Sequence, residues 1–214
     1  MRPRISLDAP EGARAHYSRP VMLSLWAFGA CAVGIIPAFT MFFAVRGHPL
    51  TTSLSEIGNR EGMKAAYLVW TVLLGAFFLV GVYVLAALSQ ATHTRLARGL
   101  AITSAVALLV TALVPFAPDE MPFLATIHRG LSQGTAAFLA LTFLALVIGF
   151  RPAYPRLFRK SGVLLIVVVL SSGIPFLFFG AAWICTAPGL IGGALFLFMA
   201  LWWLTQEPTF STHR

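Results

Sequence analysis

The sequence predicts an all-α fold, a polytopic membrane protein built as a bundle of six transmembrane helices. Three observations carry that prediction. Of the 214 residues, 58% are hydrophobic and 10% charged, against about a quarter charged in an ordinary soluble domain. Mean hydropathy is +0.85. The apolar residues also gather into long charge-free stretches, and a helix needs about 20 of them to cross a hydrocarbon core of about 30 Å. A net charge of +8 would suggest nucleic acid on a soluble protein. At this charge density it does not, and no nucleic-acid partner is expected.

The first stretch, 21–45, follows a polar tail of residues 1–20. It is longer than the roughly 7–15 apolar residues of a cleavable signal, so it is read as a mature span. The second, 65–89, and the third, 99–117, are bounded by charged turns. The fourth occupies 124–150. The last apolar run, 161–206, is too long for one crossing. It is interrupted between Gly180 and Gly189, where Pro188 and the glycines disfavour a continuous helix, so it divides into 161–179 and 188–205. Residues 206–214 form a second tail. Strands are excluded because a membrane barrel needs alternating polarity, and these segments are apolar all round. The short connections predict an up-down bundle of sequential neighbours, with Pro37 and Pro175 as kinks and Gly189 and Gly193 as a close-approach pair.

Orientation follows from Lys and Arg. Eleven fall on the side of the two termini, among them Arg95, Arg98, Arg151, Arg156, Arg159 and Lys160, against Arg46, Arg60, Lys64 and Arg129 on the other. The positive-inside rule therefore places both termini in the cytoplasm of a cell (inner) membrane protein. All of the net charge lies on that side, since the outer connections sum to zero. Trp26, Trp202 and Trp203 are expected at the inner interface, Trp70 and Trp183 at the outer. Cys31 and Cys185 sit at different depths and are read as free.

The residues that need explaining lie in the outer connections. Asp119 and Glu120 precede Pro122, a position that suits helix capping; they are equally placed to act as a carboxylate base or metal ligand. His128 is about two turns into the fourth helix, with Ser132 and Thr135 on its face. It either fixes packing by bonding a neighbouring helix or faces a functional cavity. Ser55 and Glu56 are placed to cap and begin a short helix in a turn containing Gly58 and Asn59. If Glu56 folds over the bundle mouth it meets Asp119 and His128. One histidine and two carboxylates suit a divalent metal as cofactor or general acid/base chemistry. Arg129 points away from His128, toward lipid phosphate. On the inner side, Arg151, Arg156, Arg159 and Lys160 surround Pro152 and Pro155 with no acid among them, a pattern that serves topology or binds anionic lipid headgroups. Membrane lipids are the expected partners.

The stretch Ser53-Leu54-Ser55-Glu56-Ile57-Gly58 resembles the [Ile/Leu]-Ser-[Asp/Glu]-x-Gly motif of a bacterial membrane family, domain of unknown function 998. Phe116-Ala117-Pro118-Asp119 followed by Ile127-His128 resembles that family's Phe-Pro-x-Asp…His pattern, with Ala117 as a departure between Phe116 and Pro118. Eukaryotic DRAM-like membrane proteins share a similar Ile-Ser-Asp-x-Gly signature. The resemblance spans about residues 20–206. It implies the six-helix layout and a shared outer-face location for Ser55, Glu56, Gly58, Asp119 and His128, and it implies no activity. The chain carries no H-E-x-x-H, Walker, G-x-S-x-G or C-x-x-C motif. The leading function is therefore a structural, sensory or lipid-interacting membrane protein. The alternatives are a membrane-embedded enzyme of lipid hydrolase or transferase type using Glu56, Asp119 and His128, and a small transporter.

Overall fold

A computed structural model describes residues 19–206 apart from 61, 90 and 181. Most of the two expected tails thus lies outside the described residues. Among those described there is no strand, and six helices are long and apolar enough to cross a membrane. The chain is a multi-pass, all-α membrane protein.

The first span joins α1 (Arg19–Ala30) to α2 (Ile36–Ala44) through a π-helical turn at Cys31–Ile35. The turn has a local cause. Pro37 lacks an N–H and its ring crowds the carbonyl four residues back. Widening the preceding turn, so that the Ile36 N–H donates to the Cys31 carbonyl, accommodates it without breaking the helix. A short helix, α3 (Leu54–Gly58), follows. The remaining spans are α4 (Lys64–Leu88), α5 (Thr94–Leu113), α6 (Pro122–Phe150), α7 (Pro155–Phe179) and α8 (Trp183–Thr205).

Several helices begin before the charge-free stretches do: α5 at Thr94 rather than 99, α7 at Pro155 rather than 161 and α8 at Trp183 rather than 188. Arg95, Arg98, Arg156, Arg159 and Lys160 lie inside helices. Long cationic side chains near a helix end reach the headgroups, so a charge there does not terminate the helix. Pro122 and Pro155 occupy first-turn positions, where the missing N–H costs nothing. The interruption expected between Gly180 and Gly189 lies at the first of these residues, Gly180, with φ +62° and ψ −138°. That conformation is accessible to glycine alone. Pro188 is inside α8.

Neighbours in sequence pack together, as expected: α4 through α8 in order, and the first span on α4 through Phe28 stacked on Phe77 and Phe43 against Tyr67 and Trp70. The first span also has a partner outside that order. It lies against α8, and α8 also packs on α4. The middle of the bundle is therefore α4 and α8, the spans whose residues are buried most, whereas α7 is the least buried and lies at the periphery. Because lipid tails are as apolar as side chains, helices associate in a membrane by close contact rather than by water expulsion. The small residues of α8 supply it. A Cβ on Gly192 would stand 2.8 Å from Val168 of α7, and one on Gly193 would stand 3.1 Å from Phe143 of α6. The expected Gly189–Gly193 pair thus faces three helices, since Gly189 meets Ser172 of α7 and Gly193 also meets Phe78 of α4. Buried Thr71, Thr111 and Thr142 donate to carbonyls four residues back in their own helices, which satisfies their hydroxyls in an apolar setting.

Trp26 and Trp202 meet edge to face at 5.8 Å, as residues at one end should. Trp70 is not a belt residue. It is 4% exposed and packs beside Phe43 and Tyr67 inside the bundle. Cys31 and Cys185 are both free.

Candidate functional site

The end of the bundle opposite the termini is built from the connection between α2 and α4. Ser53 is in the extended region and accepts a hydrogen bond from the Glu56 N–H at 3.1 Å. It is therefore the N-cap, and Ser55, expected to cap, is inside the helix with its Oγ 3.1 Å from that of Ser53. A side chain caps from the residue just before the first helical turn, and that turn begins at Leu54, two residues earlier than the Ser55-Glu56 pair suggests. At the other end of α3 the Asn59 Nδ2 donates to the Ser55 carbonyl at 2.8 Å. Leu54 and Ile57 are buried and anchor the helix. Gly58 lies under the ring of Tyr67: a Cβ there would stand 2.2 Å from the ring. The glycine is needed for that contact, and its φ is not positive.

The preceding loop closes over α8. The Trp183 N–H donates to the Thr52 carbonyl at 3.0 Å, and the Ile184 N–H to the Pro49 carbonyl at 3.3 Å. The Trp183 indole Nε1 donates to the Gly47 carbonyl at 3.2 Å. The first N–H groups of a helix have no partner within it, and here a loop remote in sequence supplies two of them. No local signal marks this contact. Arg46 donates to the Phe42 carbonyl, and the Arg60 Nη1 to the Arg46 carbonyl at 2.9 Å.

The turn between α5 and α6 holds the other expected residues. Asp119 and Glu120 are exposed. They do not cap α6, whose N-cap position is Met121 with no side-chain bond. The side chain that can cap belongs to the residue just before the helix, and that residue is Met121, so Glu120 and Asp119 stand one and two positions too early and are left exposed. His128 is 1% exposed. Its Nδ1 lies 2.9 Å from the Val114 carbonyl at the end of α5. A carbonyl only accepts, so Nδ1 carries the proton. Nε2 is buried and has no partner. The ring packs on Phe116, with centroids 5.1 Å apart, and the Arg129 guanidinium lies 5.5 Å from the centroid of the same ring. Arg129 is thus exposed and held against an aromatic face.

The polar stripe below His128 is the seam between α5 and α6. The Ser104 Oγ donates across it to the Thr135 carbonyl at 3.1 Å, and the Thr135 Oγ1 donates to the Leu131 carbonyl at 2.9 Å. Ser132 is half-buried on the same helix. A small recess beside the seam is lined by Leu74, Gly75, Phe78, Ser104, Thr135 and Leu190, among others. Its two hydroxyls already have acceptors, so it presents apolar surface.

Glu56, Asp119 and His128 do not assemble into a metal site. Among the described residues no group of three or more His, Cys, Asp and Glu is placed to hold an ion. The reason is topological. α3 packs on α2 and α4, whereas His128 points to the end of α5. The residue set suits a divalent ion in kind but not in placement.

The end that carries the termini is electrostatically different. Arg151, Arg156, Arg159 and Lys160 are all exposed around the turn from α6 to α7, which buried Tyr154 and Leu157 fasten to the bundle. The Lys160 ammonium lies 5.5 Å from the centroid of a Trp203 ring. The described acids, Glu56, Asp119 and Glu120, are all at the other end. The neighbouring turn is fastened too: the Thr92 N–H donates to the Gly149 carbonyl at 3.2 Å. Compared with known proteins, the chain matches no family model, no curated protein and no solved structure.

Proposed function

We propose that this chain is a lipid-interacting protein of the cell membrane, with both termini in the cytoplasm, whose α6–α7 turn engages anionic headgroups. The observation that carries the reading is the exposure of Arg151, Arg156, Arg159 and Lys160 at an end where no described acid lies. A cationic side chain beside an anionic leaflet gains about 1 kcal/mol. Four of them without an internal counter-ion form a patch that lipid can neutralise. The positive-inside bias of the sequence supports the cytoplasmic side for this end.

Two measurements test it. In nanodiscs mixing phosphatidylglycerol and phosphatidylcholine, native mass spectrometry of the full chain should show enrichment of the anionic lipid. Replacing all four cations by Gln should remove most of that enrichment; an unchanged lipid ratio would overturn the assignment. A reporter active only outside the cytoplasm, fused after Arg156, should be silent, and activity there would overturn the orientation.

A further inference from the structure

A second cation at the terminal end has a different setting. Arg98 is in α5, one turn beyond the exposed Arg95. Its guanidinium lies across the seam to α4, with Cζ 5.3 Å from the centroid of the Tyr83 ring. Its Nε is buried and has no hydrogen-bond partner. None of its donors meets an acceptor among the described residues. Tyr83 is 39% exposed, so this ring faces the outside of the bundle.

A guanidinium carries five N–H donors in a planar fork. Stacking on an aromatic face uses its flat side and leaves the edge donors free. A charge held within a membrane-spanning helix is costly without a partner, and no described carboxylate lies at this end. The anion available at headgroup depth on the outer surface of a membrane helix is a lipid phosphate, whose oxygens match the fork.

We infer that the α4–α5 seam at the terminal end binds the phosphate of one anionic phospholipid, with Arg98 as the donor fork, Tyr83 as the platform that holds it and Arg95 as a second cation. This site is separate from the α6–α7 turn, and it adds a discrete lipid position to the diffuse attraction proposed there.

The test is native mass spectrometry of the purified full chain in detergent, titrated with phosphatidylglycerol. Arg98→Gln should remove the first lipid bound or weaken it by about tenfold, the loss of a charge-assisted pair. Arg98→Lys keeps the charge but lacks the fork and should bind with intermediate affinity, which separates a lost site from a misfolded chain. Tyr83→Leu, on an exposed face, should also weaken binding. The variant with Arg151, Arg156, Arg159 and Lys160 replaced by Gln should retain this lipid. Wild-type affinity in both Arg98 variants would overturn the inference and leave the α6–α7 reading standing. Displacement of the lipid by millimolar inorganic phosphate would overturn the lipid as the ligand.

Discussion

Substituting Gly58 by alanine probes how α3 is held on the bundle. The added Cβ would lie 2.2, 2.4 and 2.7 Å from three carbon atoms of the Tyr67 ring, whereas carbon atoms rest at about 3.5–4.0 Å. The ring would have to retreat by about 1.3 Å or more. It has little room, because Tyr67 is 4% exposed and is flanked by Trp70 at 5.7 Å and Phe43 at 5.8 Å. Overpacking costs about 1–3 kcal/mol, and a contact as short as 2.2 Å belongs in the upper part of that range, about 2–3 kcal/mol. Alanine recovers up to about 1 kcal/mol of helix propensity, which leaves a net loss of about 1–2 kcal/mol. Reversible unfolding in mixed micelles, followed by tryptophan fluorescence, measures it. A double-mutant cycle locates the cause: on a Tyr67→Ala background, Gly58→Ala should cost nothing. A Gly58→Ala protein as stable as the parent, or a penalty that persists without the Tyr67 ring, would refute the packing argument.

Gly149→Ala should destabilise the chain by about 1–3 kcal/mol, because its Cβ would stand 2.2 Å from the Thr92 carbonyl oxygen, a backbone atom. Gly130→Ala in the same helix, with nothing within 4 Å, should be neutral or stabilising in the same unfolding assay. His128→Ala should cost about 2 kcal/mol or more, since it strips the Val114 carbonyl of its buried donor and leaves a gap against Phe116. Faster proteolysis within the α5–α6 turn would report it, and unchanged cleavage would argue against the bond. Trp183→Phe removes the indole donor to Gly47 and should cost about 1 kcal/mol, read as faster hydrogen exchange in the 47–52 loop.

The legible part of the candidate site was residue identity and depth, and the illegible part was partnership. His128 could be placed in a helix near the surface from its distance along the fourth apolar stretch. That its Nδ1 meets Val114 depends on how α6 turns against α5. Gly58 reads in sequence as a turn residue, yet its size matters because Tyr67, on another helix, lies over it. Ser53 and Ser55 are both reasonable caps by composition, and the backbone at Ser53, with ψ 156°, decides between them. Asp119 and Glu120 stand close to where caps stand, but α6 begins at Pro122, which leaves Met121 in the cap position.

By itself the sequence determined the class of protein, the number of crossings and the segregation of charge between the two ends. Each of these is local, since a run of about 20 apolar residues has one stable arrangement in a bilayer, a helix with its own backbone groups paired. Tertiary structure decided which helices are central, why particular glycines are small and which loop covers α8. The Trp183 indole and the Gly47 carbonyl are 136 residues apart, and nothing near either residue specifies the other. Such contacts arise when spans of similar composition settle into the one packing that lets backbones approach closely and leaves few buried polar groups without partners. The same packing kept Glu56, Asp119 and His128 from forming a metal site and brought Arg98 onto Tyr83.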